Sequence, residues 1–230
     1  VHENNFMVHA NVFPSVPVGE LKTGVSFDYI NFYDDSANNR NILRFLINYT
    51  YSNDIYHLHA GFNTASTDSS DKKFHLYPML EGTANVVEDY VTAFAGLSGN
   101  LEKETYKSLA GENPYFVPSH HIRNTNIPLE LYAGLRGGFS ASTSYTASVN
   151  YKKLTNYAFF ENDSEDTKRF VEVYDSGKTS LVNFHAGVGF KPDERLDIHT
   201  DFDFNSYTVN KLSYPYQLPS MEWTLGARYN

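Results

Sequence analysis

Between Leu196 and Asn205 the chain alternates without a break. Leu196, Ile198, Thr200, Phe202 and Phe204 interleave with Asp197, His199, Asp201, Asp203 and Asn205. A side-chain period of two sends the two sets to opposite faces of a strand. One face is then charged and hydrogen-bonding, and the other is apolar and ends in aromatics. Similar alternation recurs along most of the chain, in segments of roughly ten residues separated by turn residues. That is the pattern of a transmembrane β-barrel.

Composition agrees with this pattern and removes other classes. No run approaches the ~20 consecutive apolar residues that a membrane helix requires. The 230 residues include 18 Tyr, 17 Phe and one Trp, and the mean hydropathy is -0.45. Aromatic girdles around a polar lumen produce that combination, because half of a barrel's residues face water. The net charge of -9 gives no basic footprint for nucleic acid. The absence of cysteine removes disulfides and thiolate metal sites without assigning a compartment. Val1 is not an initiator Met, no signal-peptide pattern precedes the first strand, and Tyr229-Asn230 still reads as strand. A segment of a longer chain is the expectation from those ends.

Alternation and turn punctuation predict about twelve strands. Asn5 to Phe13 stops at Pro14 and Pro17, and Gly19 to Tyr33 carries Val25, Phe27 and Tyr29 opposite Ser26 and Asp28. Asn41 to Tyr51 and Ile55 to Thr64 follow, joined by Ser52-Asn53-Asp54. Phe74 to Val87 and Tyr90 to Leu101 are joined by Glu88-Asp89. From 102 to 125 the rhythm breaks: Lys103 to Leu109 suggests a helical turn ended by Gly111 and Pro114, and Pro118 to Asn124 reads as irregular. Alternation resumes at Leu129 and again around Tyr145 to Lys152. Phe170 to Tyr174 is expected to pair with Leu181 to Phe190 around Asp175-Ser176-Gly177, before the opening strand and a last one from Met221 to Tyr229. Short turns alternate with longer polar loops at 34–39, 65–73, 102–125 and 161–166, as they do in outer-membrane barrels. The whole chain is therefore expected to be one all-β, antiparallel, up-and-down transmembrane barrel or barrel segment.

The block Glu104-Thr105-Tyr106-Lys107-Ser108-Leu109-Ala110-Gly111-Glu112-Asn113-Pro114-Tyr115-Phe116, followed by His121 to Asn126, resembles a loop of TonB-dependent-receptor-like outer-membrane barrels of the Bacteroidetes. Tyr151 to Phe160 and Val171 to Asp175 are similar too, and the resemblance covers roughly half to two thirds of the chain. It implies a barrel of 22 strands with a plugged lumen, of which about twelve would be roughly half. It also implies a TonB-contacting segment and import of a small solute.

Sites of chemistry are few. His57 and His59 share a strand face at a spacing open to a metal, with no third ligand legible; a simple polar face explains them as well. His120-His121 are adjacent and diverge. Asp34-Asp35 and Asp163, Glu165 and Asp166 lack the spacing of a calcium loop. Gly134 to Gly138 has no phosphate-loop ending, and no nucleophile elbow is present. No enzyme activity, metal or cofactor is expected. A polar lumen lined by Arg44, His57, His59, Glu130, Arg136, Lys152, Asp197, His199, Asp201, Asp203, Glu222 and Arg228 is the expected place of function. Tyr106, Tyr115 and Phe116 of the long loop would either meet a solute or pack the loop.

The leading expectation is an outer-membrane barrel segment for passage or uptake of small solutes, with membrane lipid and a solute as partners. A soluble all-β binding or adhesion module and a complete small porin-like barrel are the alternatives. An isolated half barrel would have two bare edges, so it is expected to close on a smaller strand number or to pair with another copy.

Overall fold

The structure, a computed structural model, describes residues 2–33, 37–68, 73–88, 90–117, 122–175, 177–216 and 218–229. The strands are β1 (His2–Val12), β2 (Glu20–Tyr33), β3 (Ala37–Ser52), β4 (Tyr56–Thr67), β5 (Phe74–Val87) and β6 (Val91–Glu102), then helix α1 (Tyr106–Glu112). After it come β7 (Thr125–Ser140), β8 (Thr143–Thr155), β9 (Ala158–Asn162), β10 (Phe170–Tyr174), β11 (Thr179–Phe190), β12 (Leu196–Thr208) and β13 (Met221–Tyr229). Eleven of them form one antiparallel meander in the order β1-β2-β3-β4-β5-β6-β7-β8-β11-β12-β13, and β9 and β10 form a separate hairpin. Strands run to as many as 16 residues, longer than the 9–11 that a membrane-spanning strand requires.

The connections sort by end. At one end lie 13–19, 53–55, 88–90, 141–142 and 191–195; at the other lie 34–36, 68–73, 103–124, 156–178 and 209–220. Local chemistry shapes the tight ones. Asn53 Oδ1 accepts from the backbone N–H of Ile55 (2.9 Å) and Tyr56 (2.7 Å), and Asp193 Oδ1 accepts from Arg195 (2.8 Å) and Leu196 (3.0 Å). Both are side-chain-closed turns of the Asx kind. Gly19 holds φ +74°, where a Cβ would stand 2.5 Å from the carbonyl oxygen of Thr50.

Period two separates two unlike faces. The outer face carries Phe27, Phe45, Phe62, Leu131, Val149 and Phe184, all exposed. The inner face carries the polar set, and its buried members gather toward the long-connection end. There Ile42, Ala65, Tyr77 and Leu101 form one core cluster. Leu101 reaches it because the β6–β7 register shifts between Ser98 and Asn100. A one-residue bulge turns the following side chains to the other face.

Three expectations change. Phe170 to Tyr174 does not pair with Leu181 to Phe190: β10 pairs with β9, and β11 lies between β8 and β12. Phe159 and Phe160, among the most buried residues of the chain, claim β10 for the hairpin. The loop expected at 34–39 shortens, since β3 begins at Ala37, with Asp34 to Ser36 outside the described residues. Closure on a smaller strand number does not occur, because β1 and β13 stand at opposite edges. An eleven-strand meander makes its first and last strands parallel, so self-closure would need a parallel seam.

Candidate functional site

The inner wall is a lattice of cross-strand polar contacts. Glu130 on β7 accepts from Asn150 Nδ2 (2.6 Å) and Ser98 Oγ (3.4 Å) and lies 3.2 Å from Lys152 Nζ. Tyr132, two residues along, donates to Glu81 at 2.5 Å. Arg136 sits 5.6 Å over the Phe94 ring, within range of a cation–π attraction. On β11 and β12, His185 Nδ1 is 3.1 Å from Asp203 and its Nε2 is 3.9 Å from Asp201. Asn183 donates to Asp203 and Asn205.

The remaining expected lumen residues fall on the same face with different surroundings. His57 contacts Ser52 Oγ at 3.2 Å, and His59 lies directly across from Glu81. Asp197 faces Arg228 across the β12–β13 ladder, and Asp203 faces Glu222. The His199 ring covers Gly226, where a Cβ would stand 2.3 Å from it. Arg44 is engaged within the inner face: it pairs with Asp28 and donates to the Leu101 carbonyl at 3.1 Å. Among the described residues, no group of three or more His, Asp or Glu is arranged to hold a metal ion. His120 and His121 lie outside the described residues.

Over the long-connection end of this wall sits a cap. Thr105 starts α1 with a reciprocal capping pair to Ser108, and Asn113 ends the helix. Leu109 from the helix, Phe116 and Ile122 from the same excursion, and Ala158 and Phe160 from β9 form one buried cluster. Backbone bonds from Val117 to Phe170 (2.8 Å) and from Phe170 to Tyr115 (3.1 Å) tie the excursion to β10. Phe116 stacks edge-on against Phe160 at 5.7 Å, and Tyr106 lies 5.8 Å from Phe116. Of the three loop aromatics, Phe116 is therefore core, Tyr106 packs against it, and Tyr115 is 68% exposed.

The cap is bound to the wall by polar side chains of β1, β2 and β3, of which only Arg44 was among the expected lumen residues. Arg40, 2% exposed, donates to Ile122 O (3.1 Å), Asn124 Oδ1 (3.2 Å) and Glu104 O (2.7 Å). Asp28 is shared by Arg44 and by Lys103 at 2.8 Å. Glu3 accepts the Tyr106 N–H at 2.6 Å. The only sequence signal was position: charges at alternate positions on the polar faces of β2 and β3, near strand ends.

Electrostatics in the cap follow burial. Burial pushes the Glu112 carboxyl up, helped by Glu104 and Glu102. Burial likewise raises the Tyr174 hydroxyl, whose oxygen accepts the Arg123 N–H at 3.0 Å. Asp175 behaves oppositely. Its burial alone would raise it, but backbone N–H groups of Asn210, Lys211, Gly177 and Leu212 hold it below the usual aspartate value. Asp175 thereby staples the 209–220 connection to the end of β10.

No family model matches the chain, and no curated protein matches it. Solved structures do. The siderophore receptor PirA from Pseudomonas aeruginosa superposes with a TM-score of 0.64 at 14% identity, over 90% of this chain and 41% of that one. The copper transporter OprC gives 0.65 at 12% identity, over 99% and 42%. The pyoverdine outer membrane receptor FpvA from Pseudomonas aeruginosa PAO1 gives 0.63 at 9%, over 99% and 39%. The chain spans about two fifths of the length of these structures. At such identities the likeness defines the fold: an antiparallel up-and-down wall of the outer-membrane-barrel type, open at both edges.

Proposed function

We propose that this chain forms part of the wall of a bacterial outer-membrane β-barrel that admits small solutes, in the manner of a TonB-dependent receptor. The observation that carries the reading is sidedness. Four tight turns, 53–55, 88–90, 141–142 and 191–195, occupy one end, the three longest connections, 103–124, 156–178 and 209–220, the other, and the first two of these fold over the polar face while the opposite face stays apolar. An aqueous sandwich would bury the aromatics of the outer face against a second sheet, and no such sheet lies among the described residues.

In this reading Glu130, Lys152, Tyr132, Arg136, His185 and the β12 carboxylates line the water-filled path. Mixed charge along it suits hydrogen-bonding to a polar solute better than selecting one ion sign. Tyr115 faces the outside medium. The names of the neighbouring structures support a siderophore, iron or copper cargo as the class to test first. TonB and a plug domain belong to the proposal by resemblance alone. No catalytic role is assigned to any residue. Cells producing the protein should carry it in the outer-membrane fraction and take up labelled ferric siderophore faster than cells without it. Recovery in the aqueous fraction would end the proposal.

A further inference from the structure

Two bulky rings lie down on the inner face of β6 and β7, and glycines make room for both. Phe94 stands directly opposite Gly134, and Tyr132 directly opposite Gly96. A Cβ on Gly134 would come within 2.5 Å of Phe94 Cζ, and one on Gly96 within 2.5 Å of Tyr132 Cζ and Oη. Each ring therefore reaches across the ladder and rests over the other strand's backbone, with one face on the wall and the other toward the lumen. The two rings are half-buried, 6.5 Å apart and tilted by 46°, so together they make a shallow aromatic floor. The 2.5 Å hydrogen bond from Tyr132 to Glu81 pins one side of it.

Arg136 closes the other side, its guanidinium 5.6 Å over the Phe94 ring. Stacking sets the plane of a guanidinium and leaves its N–H edges free for a planar anion. Arg136 is exposed, and no ion pair satisfies it among the described residues. Its cross-strand neighbours are the uncharged Thr92 and Thr146. The carboxylates of this part of the wall are engaged elsewhere. Glu81 accepts from Tyr132. Glu130, about 20 Å back along β7, is held by Lys152 and Asn150. Asp201 shares the row of Arg136 but stands three strands away, about 14 Å, beside His185.

A bare cation would be attracted by the ring faces and repelled by Arg136. A carboxylate meets the guanidinium with two parallel hydrogen bonds, and a ring attached to it would lie against the aromatic floor. We propose that Phe94, Tyr132 and Arg136 form a lumenal subsite for a carboxylate borne on a six-membered ring, with Arg136 taking the carboxylate and the two aromatics the ring. The inference rests on the barrel reading above and names the part of the solute that this stretch of wall recognises. Sugar acids and aromatic acids share that chemistry.

The chain inserted in lipid nanodiscs can be titrated with glucuronate, benzoate and acetate by ligand-observed NMR, with empty nanodiscs as the blank. Glucuronate or benzoate should bind at least tenfold tighter than acetate, and the stronger of the two tells sugar acid from aromatic acid. Arg136→Gln should weaken that ligand at least tenfold, whereas Arg195→Gln, at an exposed arginine of the 191–195 turn, should stay within twofold. Phe94→Leu should weaken the ring acid at least fivefold and leave acetate within twofold. Ring acids that bind no tighter than acetate overturn the proposal, as does an Arg136→Gln chain that binds them as well as the Arg195→Gln chain. If Phe94→Leu fails to insert, the comparison of ring acids with acetate on the natural chain decides the part played by the rings. A natural chain that never enters the bilayer overturns the barrel reading instead, and is distinguishable at the insertion step, before any titration.

Discussion

Arg40 shows how a single side chain can join two parts of this molecule. Its guanidinium is buried and satisfied by two carbonyls and one amide oxygen from the excursion between β6 and β7. Arg40→Met removes the donors and leaves those acceptors without partners, at about 1–3 kcal/mol for each one that stays buried. The expected result is faster amide exchange across 104–124 with unchanged protection in β4 and β5. The neighbours Tyr115 and Phe116 make a matched pair for the same measurement. Phe116→Ala empties the centre of the cap cluster and should cost about 3–5 kcal/mol of local stability. Tyr115→Ala, at an exposed position, should stay within about 0.5 kcal/mol. If uptake falls with Tyr115→Ala while exchange is unchanged, Tyr115 meets the solute. The sequence placed Tyr106, Tyr115 and Phe116 in one loop but could not separate them, because adjacent residues in an irregular segment have no period from which to read burial.

At the scale of elements, the β9–β10 hairpin and the 209–220 connection depend on Asp175. Backbone donors hold its carboxylate below the ordinary aspartate value despite burial. A depressed folded value means that the staple's contribution is complete above the unfolded value of about 3.9 and is lost as pH falls through the folded value. Protection of the Asn210 and Lys211 amides should therefore be constant from neutral pH down to about pH 5 and decline below about pH 4. Asp175→Asn should show the loosened state at neutral pH and remove the acid-dependent part. Strand positions were legible in the sequence because period two persists over many residues in each strand. The hairpin pairing was not legible in the same way. Asp175-Ser176-Gly177 is a good turn sequence, and local turn chemistry says nothing of Phe159 and Phe160, whose burial brings β9 to β10.

For the whole molecule, the two faces predict opposite responses to the same substitution. Phe184→Arg on the outer face should impair insertion by about 2–4 kcal/mol if it lies near the bilayer midplane. Ser148→Arg, on the inner face of the adjacent strand, should insert normally and change only the charge of the path. Urea titration of refolding into vesicles measures both, and equal losses would argue against a membrane wall. The sequence by itself determined the eleven strands of the wall and their two faces, but not β9. Those follow from side-chain period and turn chemistry, which act over a few residues. Which inner-face residues remain open was decided only by tertiary structure. Arg44 became a partner of Asp28 and Leu101, Phe116 became core, and Arg40, unmarked by any motif, became the cap's anchor. Each outcome depends on segments tens of residues apart meeting over one end of the wall, and no local pattern encodes that meeting.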